Sequence, residues 1–232
     1  MKRFKVFLTM LVAIFFIGGC NGSKDDNKDD LKVSYENFKK TEKDYSYDIK
    51  IPQISGAENE DISYFNVTMQ ELSRNLIDNM YIPEDGEDGE FSEANIATEE
   101  HKNNFDVLSM VLYIYVYNTG AAHGTVTPET YNFNKHDNSL ISFENIFTSK
   151  DVEFFNNEIN KQIRDGKKVK NINGEDGFLY DDAEANINDA VFYFDGDNLV
   201  FIFQSYSLAP YSSGMPMFKI PKDVAMKHIH LK

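Results

Sequence analysis

Cys20 is the only cysteine in the chain and follows Ile17-Gly18-Gly19, at the end of an apolar run over residues 6–17 that begins after Lys2, Arg3 and Lys5. A positive start, a short apolar stretch and small residues before a cysteine are what a signal peptidase needs to cleave ahead of a thiol that can be lipidated. The run is short for a membrane-spanning helix. The expected chemistry is therefore lipidation of Cys20, with residues 1–19 as a lipoprotein signal peptide and the remainder held to a bacterial membrane on its extracytoplasmic side. With no second thiol no intrachain disulfide can form, and acylation would block the one that an exported chain would otherwise expose.

A second set of candidates lies in Gln204-Ser205-Tyr206-Ser207-Leu208-Ala209-Pro210-Tyr211-Ser212-Ser213-Gly214, where two tyrosines and a rigid proline stand among small residues. This is the composition of a recognition loop with a low ordering cost. The same composition also suits an aromatic loop packed flat on its own sheet, and residue types do not choose between the two. His123 sits in Gly120-Ala121-Ala122-His123-Gly124, where small neighbours let a ligand or another backbone approach; local hydrogen bonds in a turn account for it equally. His228 and His230 would share a face on a strand, yet two ligands make no metal site, and histidines frayed near a terminus are the simpler reading. The cluster Glu84-Asp85-Gly86-Glu87-Asp88-Gly89-Glu90 lacks the spacing of a calcium loop and reads as solvated acid, while Asp195 and Asp197 belong to a turn.

No Gly-x-Ser-x-Gly elbow, His-Glu-x-x-His helix or glycine-rich phosphate loop occurs, so neither enzyme activity nor a cofactor or metal is expected. The formal net charge is -15, and loss of the three cations of the signal makes the mature chain more negative. Such a surface repels nucleic acid and steers in cationic ligands.

Periodicity indicates the elements that must hold these residues. Residues 20–44, rich in Asp, Lys, Asn, Gly and Ser, predict a flexible tether. Residues 45–51 alternate as a strand that Pro52 closes, and Phe65, Met69, Leu72, Leu76 and Met80 line one face of a helix within 62–81. Residues 84–100 predict a solvated acidic loop. Residues 105–117 and 123–133 predict neighbouring antiparallel strands, broken at Asn118-Thr119-Gly120. Val152, Phe155, Ile159 and Ile163 mark a second helix that Gly166 can end, and 166–189 look irregular. Residues 190–194 and 199–203 flank Asp195-Gly196-Asp197-Asn198 as a hairpin, and 217–220 form a closing strand. Lacking a regular βαβ repeat, the chain predicts an α+β fold, mostly antiparallel sheet with two main helices packed on it, in subdomains 45–134 and 135–232.

Together, Tyr47-Asp48-Ile49-Lys50-Ile51-Pro52-Gln53-Ile54-Ser55-Gly56, Gly120-Ala121-Ala122-His123-Gly124, Tyr131-Asn132-Phe133, Ile141-Ser142-Phe143-Glu144-Asn145-Ile146-Phe147, Phe192-Tyr193-Phe194 and the Tyr206-to-Gly214 motif resemble the extracytoplasmic region of RsiV-like anti-sigma factors. They are also similar to the non-catalytic region that precedes the catalytic domain of PdaC-like peptidoglycan deacetylases. The resemblance implies a region that recognises lysozyme, with the loop matching Ala209-Pro210-Tyr211 entering the lysozyme cleft. A sigma-binding domain and a deacetylase domain are not expected in this chain, so those activities do not carry over. The ligand-binding candidates are Tyr206, Ala209, Pro210, Tyr211, Gly214 and His123, and the expected partner is a cationic or cell-wall-associated protein such as lysozyme. An alternative is a non-catalytic envelope accessory that binds peptidoglycan or glycan on a platform of Tyr113, Tyr115 and Tyr211. If the signal is read correctly, Cys20→Ser should abolish incorporation of labelled fatty acid and move the chain out of the membrane fraction.

Overall fold

The computed structural model describes residues 31–80, 91–166 and 169–231. The expected signal peptide, Cys20 and the Glu84-to-Glu90 cluster lie outside them. The first half of the chain forms β1 (Lys32–Thr41), β2 (Tyr45–Ser55), α1 (Glu60–Asp78), β3 (Ser92–His101), β4 (Val107–Tyr117) and β5 (Thr125–Asn134). These strands make a five-stranded sheet in the order β1-β2-β3-β4-β5. Next come α2 (Phe143–Ile146), α3 (Ser149–Arg164), β6 (Val169–Asn171), β7 (Asp176–Gly177), β8 (Ala190–Asp195), β9 (Asn198–Phe203), β10 (Pro216–Pro221) and α4 (Lys222–Ala225). Their strands form a second five-stranded sheet in the order β7-β6-β10-β9-β8. Every pairing between these strands is antiparallel except β2 with β3, which α1 connects. The architecture is α+β, and no helix among the described residues is long and apolar enough to cross a membrane.

Alternation along the strands sorts side chains into three successive hydrophobic layers. On one face of the first sheet, Met110, Leu112 and Ile114 meet Ile62, Phe65 and Met69 of α1. The opposite face offers Val111, with half-buried Tyr113, to Tyr193, Val200 and Ile202 of the second sheet. The far side of the second sheet turns Phe192, Phe194, Leu199, Phe201 and Phe203 toward Phe155 and Ile159 of α3. Each main helix therefore covers its own sheet instead of sharing one.

Both helices start where side chains can take the first free backbone donors. Asn59 Oδ1 accepts from the N–H of Ile62 at 2.8 Å at the head of α1. At α3 the Asp151 carboxylate accepts from the N–H of Thr148 at 2.9 Å and also from its hydroxyl. Gly196, at φ 55°, makes the two-residue β8–β9 turn possible, because that left-handed backbone is one glycine adopts without strain.

Three sequence expectations need correction. Lys32–Thr41, placed in the tether by its charge, is an edge strand with a continuous ladder from Lys32↔Ser55 to Thr41↔Ser46. Backbone pairing and the packing of Val33 and Phe38 on the α1 layer outweigh a lysine-rich composition, which is itself common on edge strands. Ser92–His101, placed in the acidic loop, is the middle strand of the first sheet, with Ser92, Ala94 and Ile96 buried at alternate positions. Pro52 does not close β2, which runs on to Ser55. Beyond Ile49 β2 pairs with β1 alone, so its other edge asks for no N–H there.

The two sheets are joined by a buried polar bridge. Ser109 Oγ donates to Asn132 Oδ1 at 2.6 Å and accepts from the Phe194 N–H at 2.9 Å, while Asn132 Nδ2 donates to the Phe192 carbonyl at 2.9 Å. Both side chains are 1% exposed, so removing either leaves partners that water cannot reach. Asn132→Ala should lower unfolding free energy by about 2–3 kcal/mol, read as a lower urea midpoint. The double variant with Ser109→Ala should lose less than the sum of the two singles, since both act in one network.

Candidate functional site

The chain leaves β9 through a compact turn. The carbonyl of Gln204 accepts from the N–H and the hydroxyl of Ser207, at 3.1 and 2.7 Å, and the N–H of Tyr206 donates to the Ala209 carbonyl at 3.1 Å. Tyr206 sits at φ 71°, a left-handed conformation that a bulky residue keeps only when its surroundings enforce it. Leu208 and Ala209 turn inward, 3% and 0% exposed, and Pro210 at φ -64° leads into a single 3-10 turn over Tyr211–Ser213. Gly214 at φ 72° ends that turn, and a Cβ on it would lie 3.0 Å from Asn171 Nδ2.

Buried residues on one side of the loop leave its aromatic residues on the other. The rings of His123 and Tyr211 stack at 3.8 Å between centroids and 21° between planes, and Tyr206 lies 5.7 Å from Tyr211 and 6.3 Å from His123, also stacked. The Gly124 carbonyl accepts from the Tyr211 hydroxyl at 2.9 Å and faces His123 Nδ1 at 2.9 Å. A carbonyl can only accept, so Nδ1 carries the proton; in the neutral ring Nε2 then accepts from the Tyr206 hydroxyl, 3.0 Å away. A Cβ on Gly124 would come within 2.2 Å of the Tyr115 ring, so any larger residue there would displace that side chain. Tyr206 is 56% exposed, so the cluster offers an open aromatic edge to solvent.

The predicted residues thus take different places. Tyr206, Tyr211 and His123 come together. Pro210 and Gly214 shape the loop, and buried Ala209 supports it from beneath. The loop packs through buried Leu208, Ala209 and Ser213 and leaves Tyr206 and Ser207 exposed. Tyr113 does not join a surface platform: it packs between the sheets, where burial, with Glu99 second, pushes its hydroxyl up to about 12. Sequence reasoning missed Phe178 and Tyr180, whose backbones lie against the same loop: the Phe178 N–H donates to Ser213 Oγ at 3.1 Å and the Tyr180 N–H to the Leu208 carbonyl at 2.9 Å. Their only signal was two aromatics two positions apart in a segment without longer periodicity.

His228 and His230 are not frayed. His228 stacks on Phe154 at 3.5 Å, and His228 Nδ1 and His230 Nε2 lie 3.5 and 3.3 Å from the two Asp151 oxygens. Packing of Ile229 into the α3 layer holds the segment in place. Among the described residues no group of three or more His, Cys, Asp or Glu is arranged to hold a metal.

Residues 144–223 match the profile of the family described as "Protein of unknown function (DUF3298)", a span that includes α3 and every strand of the second sheet. Two solved structures share the fold across nearly the whole chain. A DUF3298 family member from Bacteroides fragilis has a TM-score of 0.56 at 14% identity, covering 89% of this chain and 96% of that one. A DUF3298 family protein from Pseudomonas aeruginosa has a TM-score of 0.55 at 13% identity, covering 88% and 97%. No curated protein matches the chain.

Asp151 gives the C-terminal segment a pH dependence. Burial raises its carboxyl pKa, but the Thr148 donors and His230 together outweigh burial and hold it below the usual carboxylate range. A depressed carboxylate stabilises the fold above its unfolded pKa, and that stability is lost as pH falls through the folded value. Asp151→Asn should therefore melt at a lower temperature than the parent at neutral pH, with the gap narrowing below about pH 4.

Proposed function

We propose that this chain is an extracytoplasmic, lipid-anchored binding module that captures a cationic protein, lysozyme above all, through the cluster of Tyr206, Tyr211 and His123. The observation that carries this reading is the exposed Tyr206, held in a strained backbone and fixed by hydrogen bond and stacking against two other rings. Strain of that kind persists at sites where the geometry is used. A preorganised aromatic anchor loses little entropy when a partner covers it. The net charge of -15 supports attraction of a basic protein and a faster encounter. The likeness of the Ala209-Pro210-Tyr211 loop to the lysozyme-contacting loop of RsiV-like regions supports the choice of ligand. Occupying the lysozyme cleft would make the protein an inhibitor as well as a receptor.

With the chain immobilised and hen-type lysozyme in solution, saturable binding is expected. Tyr206→Ala and Tyr211→Ala should each weaken it at least tenfold, about 1.4 kcal/mol or more. Raising salt from low to physiological should slow association more than it speeds dissociation. Absence of saturable binding, or binding indifferent to both substitutions, overturns the reading. Retention on purified sacculi without lysozyme would favour a glycan ligand in its place.

A further inference from the structure

Phe178 is 82% exposed, the most open of the large apolar side chains among the described residues, and Tyr180 is 40% exposed. A single exposed aromatic is ordinary, but these two stand on a segment that is pinned along its length. Phe178 and Tyr180 hold the 206–214 loop through their backbone N–H groups, as described above. Leu179 between them points the other way and packs against the α3 layer. Farther along, Asn160 brackets Ala185, accepting from its N–H at 2.7 Å and donating to its carbonyl at 2.8 Å, and Asn156 accepts from the Ile187 N–H at 2.7 Å. Ala185 and Ile187 are buried, so the strap is anchored on both sides of its aromatic residues. Alternation about Leu179 therefore leaves two exposed rings on a segment whose backbone is hydrogen-bonded to the loop that carries Tyr206.

The chemistry around those rings is one-sided. Asp181, Asp182 and Glu184 follow them directly and are all exposed. Uncharged glycans can stack on the rings and donate hydroxyl hydrogen bonds to the carboxylates, but they carry no charge to pair with three neighbouring anions. An arginine or lysine side chain gains from both, through cation–π contact with the ring faces and charge pairing at the rim. Acidic polymers would be repelled.

We infer that the Phe178–Tyr180 strap is a second contact arm, which receives an arginine or lysine side chain of a basic protein partner over its rings, with Asp181, Asp182 and Glu184 as the charged rim. The arm rests on the proposed capture of a cationic protein by the neighbouring loop and specifies which groups of that protein are gripped.

The chain contains no tryptophan, so Phe178→Trp places a single fluorescent reporter in the arm while keeping an aromatic face. With the full chain in detergent, hexa-arginine and hexa-lysine should each shift the emission saturably, and hexa-glutamate and chitotetraose should not. Asp181→Asn, Asp182→Asn and Glu184→Gln combined should weaken the peptide response at least fivefold. Lysozyme affinity should fall about tenfold in the Phe178→Ala, Tyr180→Ala double variant. A reporter silent to both cationic peptides, responding without saturation, or responding to chitotetraose alone overturns the arm. If lysozyme binding is lost in Tyr206→Ala but unchanged in the double variant, the arm is refuted while the loop reading stands. If the peptides bind as expected and lysozyme does not bind at all, the arm stands and the choice of lysozyme falls.

Discussion

The edge of β8 is the place where the two halves of this molecule become one. An edge strand carries unpaired backbone groups that must find partners or water. Here the Phe194 N–H and Phe192 carbonyl find Ser109 and Asn132, which reach out from β4 and the edge strand β5 of the other sheet. Two neutral side chains thereby cap a strand edge and relate the sheets. Around this bridge the packing is apolar, with Val111 and Tyr193 on opposite sides of the seam. Hydrophobic burial supplies bulk stability without direction; the hydrogen bonds supply the register that burial alone would leave loose.

The aromatic cluster inherits that geometry. His123 and Gly124 lead into β5 of the first sheet, and Tyr206 and Tyr211 follow β9 of the second. Gln204, at the root of the loop, donates to the Val126 carbonyl at 2.9 Å and so ties the loop to β5. The stacking distances are therefore set by how the sheets meet.

Much of this was legible where the determinants are local. The spacing of Phe65, Met69 and Leu72 identifies α1 because helical period depends on near neighbours. Asp195-Gly196-Asp197-Asn198 identifies the hairpin because its turn needs a left-handed residue. β3 was not legible, since only Ala94 and Ile96 among its residues signal an apolar face and its parallel pairing with β2 is non-local. β1 hid for a different reason: its pairing with β2 is local, but lysines and other polar residues mask the apolar side marked by Val33 and Phe38. At the site, loop composition marked Tyr206 and Tyr211, but their union with His123 joins residues 83 and 88 positions apart. The outward rings of Phe178 and Tyr180 escaped notice because they depend on hydrogen bonds to a loop far along the chain.

The three-ring stack straddles the seam between the sheets. Because its members come from both sheets, anything that grips all three acts as a staple across the seam and opposes sliding of one sheet over the other. By thermodynamic linkage, occupancy of that small surface would be felt as added cohesion of the whole body, growing with the logarithm of ligand concentration once the surface is saturated.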